Sequence, residues 1–331
     1  MKALPEGLDE HDLRVGLAAE WGFDAATLEY HAEGFGSYHW IGTETGGTRR
    51  FVTVDDLDDK TWLGSTRDAT FDGLKRAFDT AFALRHRADL GFVLAPLLTD
   101  TGETVLRIGA RHAMALYPIA AGRSVGFGER PTPTQRDEII RTLVELHHAT
   151  PLVQATATHY DLPVPGRHHL ERALTDVDKP WDGGPFSEPS RAALTRHRDD
   201  VTRLLDAFDD LEREVDAADD VPVITHGEPH EGNIMRATSA LVLVDWDTVG
   251  LALPERDLSV IDGITDDELG QYTESAHRAV NQRAMDLYRL RWDLGEITDY
   301  LRVLRLPHRH TPDTEHAWEV VDRLLQSCAT L

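Results

Sequence analysis

The chain has a single cysteine, only four lysines, and no apolar run approaching the ~20 residues that a membrane-spanning helix needs. Each shortage excludes something. One thiol, Cys328, cannot close an internal disulfide, which fits a reducing compartment. The opening stretch, MKALPEGLDEHDLRVGL, contains neither an apolar h-region nor a small-residue cleavage site, so nothing marks the chain for export and a cytoplasmic protein is expected. Internal repeats and low-complexity stretches are also missing. With four lysines beside thirty arginines and 58 acidic residues, the formal charge is −24, spread along the whole chain. A field of that sign repels nucleic acid and anionic lipid, so neither is an expected partner, and it attracts cations. Two explanations serve: a cationic small-molecule partner, or the Arg-, Ala- and Asp-rich composition of GC-rich coding. Charge alone does not choose between them.

What is present is a globular protein of 331 residues, 41% hydrophobic and 28% charged, long enough for two lobes and a sizeable core. Residues 8–28 carry Leu13, Leu17 and Trp21 at helical spacing. GFGSYHWIG (34–42) and RRFVTVDDL (49–57) predict a strand pair around a turn, and Asp68–Arg87 predicts an amphipathic helix. FVLAPLL (92–98), TVLRIGA (104–110) and HAMALYPIAAG (112–122) predict three more strands. Beyond Gly122 the pattern turns helical. Thr134 is positioned to N-cap a helix with the face Ile139, Ile140, Leu143, Val144 and Leu146, stopped by Pro151. A loop over 163–189 leads to a long helix through Leu194, Val201, Leu204, Leu205, Phe208 and Leu211. Two short strands, VPVIT (221–225) and ALVLVDW (240–246), bracket a polar segment, and from Asp266 onward the chain is expected to be almost wholly helical. The class is therefore α+β: a β-rich N-lobe over 1–116, a hinge at 117–122, and a mostly helical C-lobe over 123–331.

The chemistry concentrates in His226-Gly227-Glu228-Pro229-His230-Glu231-Gly232-Asn233, followed by Asp245-Trp246-Asp247. Phosphoryl transfer needs a carboxylate beside the attacking hydroxyl and oxygen ligands for Mg²⁺. A loop between two strands can present Glu228, Asn233 and Asp245 to one point. Gly227, Pro229 and Gly232 argue against a helix there, which disfavours a zinc site on His226 and His230, because residues four apart share a face only on a helix. A hydrogen-bonded turn without chemistry is the plainer alternative.

The pattern H-G-[D/E]-x-H-x-x-N, then an apolar strand ending in Asp-Trp, resembles the aminoglycoside phosphotransferase and choline kinase superfamily. VDWDTVGLALPERDLSVI, LYPIAAG and YRLRWDLGEITDY are similar to its spectinomycin phosphotransferase branch. The resemblance is dense over 112–151 and 221–303. It implies a protein-kinase-like bilobal fold and transfer of the γ-phosphoryl group of ATP (or GTP), with Mg²⁺, to a hydroxyl of a small molecule. An aminoglycoside or aminocyclitol is the implied acceptor, in antibiotic resistance or in biosynthesis alike. It assigns Asn233 and Asp245 as metal ligands and Glu228 as the carboxylate facing the hydroxyl. His226 becomes a structural loop residue, Asp257 a brace for the loop, and His230 and Asp247 secondary members of the site. For the nucleotide it points to Gly36 and Ser37 of the turn between the first strands, to Tyr117 lining the pocket, and to backbone groups of Pro118 and Ala120. Proline has a carbonyl but no N–H, which is tolerable at 118 and would not be at 120. Asp262, Tyr288, Trp292, Asp293 and Glu296 are the candidate substrate-facing side chains on the last helices.

The sequence departs from the family pattern in three ways. Glu228 stands where aspartate is usual. Thr53 stands where a phosphate-binding lysine is expected, leaving Lys60 to reach in from the following loop. The helix over 68–87 has no glutamate to pair with such a lysine, only Asp72 and Asp79. These departures keep two competitors open: a nucleotide-binding pseudoenzyme, and nucleotidyl transfer on the same scaffold.

Overall fold

The structure, a computed structural model, describes every residue except 6, 121, 125–129, 219, 238–239 and 329–331. One residue of the expected hinge, 121, and five near the start of the expected C-lobe thus lie outside the described residues.

The first helix, α1 (Glu10–Trp21), is capped by Asp9 and ends at Gly22, whose left-handed backbone sends its N–H to the Leu17 carbonyl. The expected helix over 8–28 is therefore too long by a turn and more. The remainder forms β1 (Ala25–Tyr30), which is followed by β2 (Tyr38–Glu44), β3 (Arg49–Asp56) and α2 (Arg67–His86). Next come β4 (Leu106–Ile108), β5 (His112–Pro118) and the short β6 (Arg123–Ser124). The segment 92–98 is not a strand. Pro96 has no N–H to pair, and the segment is held instead by a bridge from Val93 to Leu243, by the Leu97 N–H to the Leu116 carbonyl and by the Trp21 indole N–H to the Leu97 carbonyl.

Helix α3 (Pro133–His148) is capped two residues before the expected position. Proline suits the first helical position, so Thr132 becomes the cap and Gln135 closes the capping box. After α4 (Thr150–Val153), the presumed loop over 163–189 contains α5 (Arg167–Thr175). The presumed single long helix is two, α6 (Ser187–Arg196) and α7 (Arg198–Asp216), broken at His197. The remaining elements are β7 (Val223–Thr225), β8 (Ile234–Ala237), β9 (Ala240–Leu243), β10 (Gly250–Ala252), α8 (Glu255–Leu258), α9 (Asp266–Ala276), α10 (Gln282–Arg305) and α11 (Pro312–Cys328).

The chain divides into two compact units. One holds residues 3–160 and 221–281, the other 161–220 and 282–331. In the first, five antiparallel strands run in the order β1-β2-β3-β5-β4. Side chains alternate across a strand, and β3 shows what that does here. Val52 and Val54 join Leu13, Leu17, Trp40, Met114 and Leu116 on the α1 side. Phe51 packs with Leu74, Phe78, Ala115 and Tyr117 on the α2 side. By the same alternation Thr53 and Asp55 share the side of Phe51. Below the sheet, β8 pairs with β6 and β9, and β7 pairs with β10 rather than with β9. The second unit is helical, with α10 packed on α5, α6, α7 and α11 through buried Leu294, Ile297, Leu301 and Leu304. Among the described residues no helix is long and apolar enough to cross a membrane.

Candidate active site

Every described group of the presumed catalytic loop belongs to the first unit. His226 follows β7 and is fully buried. Burial holds its pKa down at about 4, so the ring is neutral near pH 7. Its Nδ1 accepts the Glu228 N–H at 3.2 Å, which leaves the Nε2 proton for the Val244 carbonyl at 3.0 Å. The ring lies 4.5 Å from that of Trp246, itself buried, so one imidazole ties the loop to the segment after β9 that carries Asp245; the strand expected over 240–246 ends at Leu243.

Asp257, on α8, receives the N–H groups of His226 (2.9 Å) and Gly227 (2.7 Å) and contacts His147 Nε2 at 3.1 Å. Burial alone would raise its pKa; His147 first, then His226 and the Gly227 amide, outweigh that and hold the carboxyl below its ordinary value. His147 on α3 reaches the Tyr272 hydroxyl with Nδ1 at 2.7 Å, linking α3, α8 and α9 beneath the loop. The sequence reading missed His147. It sits four residues after Leu143 on the apolar face of α3, and a histidine at such a position is the signal that was there to be used.

Gly227 has φ +100°, and a Cβ there would lie 2.3 Å from the Arg256 guanidinium and 2.7 Å from the Thr248 hydroxyl. Arg256 cannot swing aside, since it is buried, bonded to Thr225 Oγ1 at 2.9 Å, and laid over the Tyr160 ring at 4.2 Å. Gly227→Ala is expected to cost about 3 kcal/mol or more, combining left-handed strain with overpacking. Urea unfolding measures it; a cost within ~0.5 kcal/mol of wild type, the scale of an ordinary surface change, would show the loop to be far less constrained than this geometry states.

Asn233 ends a single 3₁₀ turn (Glu231–Asn233). Its Nδ2 donates to the Glu228 carbonyl at 3.0 Å, and its own carbonyl accepts the Val244 N–H at 3.0 Å. Asn233, Glu228 and Asp245 are thereby brought together. Asp245 is non-glycine yet left-handed, with φ +64°. Its side chain is open to solvent, but protein lies around it. Withdrawal from bulk water first, then the charges of Asp247, Glu228 and Asp55, raise its carboxyl well above the ordinary range, against the opposing pull of Lys60. Glu228 is about a third exposed, with Oε2 3.9 Å from His230 Nε2. Burial holds His230 down at about 4, so this approach is not an ion pair near neutral pH.

Lys60, far from being a solvated charge, is 1% exposed. Its Nζ contacts Asp247 directly and lies 3.1 Å from Asp55 Oδ1. Burial opposes the charge, and Asp247, Asp55 and Asp245 more than reverse this, so the ammonium is held above its ordinary range. The loop that carries it is folded tightly: the Leu63 N–H meets the Lys60 carbonyl at 3.1 Å. It lies so close to α2 that a Cβ on Gly64 or Gly73 would come within 2.4 Å of backbone atoms. Asp55 is also buried; its Oδ1 accepts the Ser37 hydroxyl at 2.6 Å and its Oδ2 has no hydrogen-bond partner. Burial raises the Asp55 carboxyl, with Lys60 and Ser37 opposing. Gly36, φ +84°, comes so near that a Cβ would sit 4.0 Å from Lys60 Nζ. The alternation V-T-V-D, with a charged residue on the Thr53 face, was the sequence signal for Asp55.

Tyr117 is buried edge-on against Phe78, on the sheet face of Phe51. Burial, then the nearby acids, raise its phenol. Pro118 ends β5 opposite Arg50, and Ala120 follows outside the strand. Asp79 is not a partner for Lys60, being bonded to Lys75 (2.8 Å) and Thr104 (2.6 Å); Asp72 is exposed. Asp262 is not on a helix; it lies between α8 and α9 and pairs with Arg130 at 3.0 Å. Tyr288, Trp292, Asp293 and Glu296 all lie on α10 of the second unit. Tyr288 is buried there, and burial raises the Asp293 carboxyl. Among the described residues no three His, Cys, Asp or Glu side chains converge to hold a metal by themselves.

A profile of the phosphotransferase enzyme family matches residues 67–290. Protein StrN of Streptomyces griseus is 26% identical over 276 residues, covering 80% of each chain. Spectinomycin phosphotransferase APH(9)-Ia, solved with ADP and spectinomycin, aligns with a TM-score of 0.73 at 15% identity, covering 98% of this chain and 100% of that one. Choline kinase LicA of Streptococcus pneumoniae gives 0.59 at 13% identity, covering 97% and 99%. At such identities these two are likenesses of fold.

Proposed function

We propose that this chain, which belongs to the phosphotransferase enzyme family and has a kinase-like fold, transfers the γ-phosphoryl group of ATP (or GTP) to a hydroxyl of a cationic small molecule of the aminoglycoside or aminocyclitol class. The observation that carries the reading is the buried Lys60 ammonium, set between Asp55 and Asp247 beside Gly36 of the glycine turn. A fixed cation next to backbone N–H groups at a left-handed glycine is what a polyphosphate requires. It answers the missing lysine at 53.

The donor set suits a divalent ion. Carboxylates at 245, 247 and 55 face a single ammonium, and Asn233 adds an amide oxygen. Lacking a closed protein cage, the set fits Mg²⁺ shared with nucleotide phosphates. Asn233 and Asp245 would hold that ion, whose contribution when bound is neutralisation of phosphate charge. Glu228 would orient the acceptor hydroxyl and take its proton as the new P–O bond forms and the bond to the departing ADP breaks. Asp257, through the His226 and Gly227 amides, keeps Glu228 in place. A cationic acceptor class is supported by the spectinomycin and choline named for two proteins of this fold.

The test is incubation with γ-labelled and α-labelled ATP across aminoglycosides, aminocyclitols and amino alcohols, followed by mass analysis. An acceptor gaining one phosphoryl group is expected. Nucleotide transferred to the acceptor supports the adenylylation alternative, and bound but unchanged nucleotide the pseudoenzyme.

A further inference from the structure

Lys60 has two carboxylate partners that differ in their surroundings. Asp247 is two residues from Asp245, the proposed metal ligand, in the segment that follows β9. Asp55 lies on β3, anchored by the Ser37 hydroxyl at 2.6 Å, with its second oxygen buried and unpartnered. One ammonium thus serves two acids, and it contacts Asp247 more closely than Asp55. A divalent cation held by Asn233 and Asp245, the latter close to Asp247 in sequence, would compete with that ammonium for the Asp247 oxygens. In the absence of Asp55 the displaced lysine would be a buried charge without a partner, which is strongly disfavoured. Asp55 offers it one, still within reach of Gly36.

We propose that Asp55 is the positioning residue for Lys60, holding the ammonium beside the glycine turn when a divalent cation takes over Asp247. Asp55 therefore fills, from the strand, the place left by the glutamate that α2 lacks, and lysine and carboxylate have exchanged elements: the strand carries the acid and the loop carries the base. This deepens the phosphotransferase reading and rests on it for the phosphate that Lys60 finally meets. Without nucleotide the site lacks the phosphate oxygens and is filled only by a high concentration of the ion, which suffices to drive the exchange.

The test titrates nucleotide-free protein with Mn²⁺ alone, reading bound ion by the loss of the free-ion electron-paramagnetic-resonance signal. Wild type, Asp55→Asn, Lys60→Met and the double variant form a cycle. Lys60→Met should bind Mn²⁺ about tenfold more tightly than wild type, and Asp55→Asn about tenfold more weakly, the range of directly coupled neighbours. In the Lys60→Met background Asp55→Asn should have no effect, since Asp55 acts through the lysine. An equal loss in both backgrounds would mean that Asp55 acts only as a distant negative charge, and the proposal falls. It falls equally if Lys60→Met binds Mn²⁺ no better than wild type. Should Lys60→Met not fold, amine labelling of Lys60 in Asp55→Asn decides. With saturating Mn²⁺ the wild-type lysine stays protected and the variant lysine becomes labelled; equal protection overturns the proposal. A chain that behaves this way yet phosphorylates no acceptor keeps the inference and loses the function proposed above.

Discussion

On the phosphotransferase reading proposed above, Asp245→Asn is expected to abolish transfer, by at least about a thousandfold, and to leave the nucleotide-free protein as stable as wild type or more so. The first half follows from charge. Asp245 is a solvent-facing carboxylate of the cluster and the proposed ligand of the cation, and losing such a group at a developing phosphoryl charge would remove several kcal/mol from the transition state. The second half follows from crowding. Asp247, Glu228 and Asp55 all bear on Asp245, with Lys60 the only cation among its chief electrostatic neighbours. An amide in place of the carboxylate relieves that repulsion. Asparagine also tolerates the left-handed backbone at φ +64°, whereas alanine there would add strain and confuse the result. The pairing of lost activity with retained or improved melting temperature is the mark of a group kept for function at a cost to stability. Residual activity within tenfold of wild type, or a large fall in melting temperature, would remove Asp245 from the machinery.

How much of this could be read beforehand differs by element. The loop from His226 to Asn233 was legible because its glycines and proline forbid a helix and its polar side chains have few purposes at that spacing. Its support was partly so: Asp257 was assigned as a brace, but nothing in the spacing ties it to His147, 110 residues away, or to Tyr272. Contacts of that range are set by how helices pack, and a local pattern does not contain them. Lys60 shows the limit most clearly. A lysine after an acidic run has the pattern of a solvated turn, and only the close approach of its loop to α2, permitted by Gly64 and Gly73, turns the side chain inward. The segment errors have the same origin. Pro96 and His197 interrupt apolar runs whose periodicity by itself argued for continuity, and Pro133 moved a helix start that the threonines alone left ambiguous.

Glu228→Gln should cost at least ~100-fold in kcat, the scale of a positioned general base, with little change in the acceptor's KM. The structure shows why the longer acid is accommodated. The backbone of residue 228 is fastened on both sides, its N–H to His226 Nδ1 and its carbonyl to Asn233 Nδ2, and Pro229 behind it is buried. A loop so held cannot advance to compensate for a shorter arm. Because the transition state of phosphoryl transfer is largely dissociative, the carboxylate's position matters more than its basicity, and aspartate and glutamate differ little in reference pKa, about 3.9 against 4.3. Glu228→Asp, which withdraws the carboxylate by about 1 Å, should therefore also lose activity, on the order of 100-fold. Its expected direction is opposite under the pseudoenzyme reading, in which glutamate is the lesion and aspartate the repair. Measuring both variants against the same acceptor separates the two: Asp below wild type makes Glu228 the working base of this chain, and Asp above wild type makes it the reason the natural protein is slow.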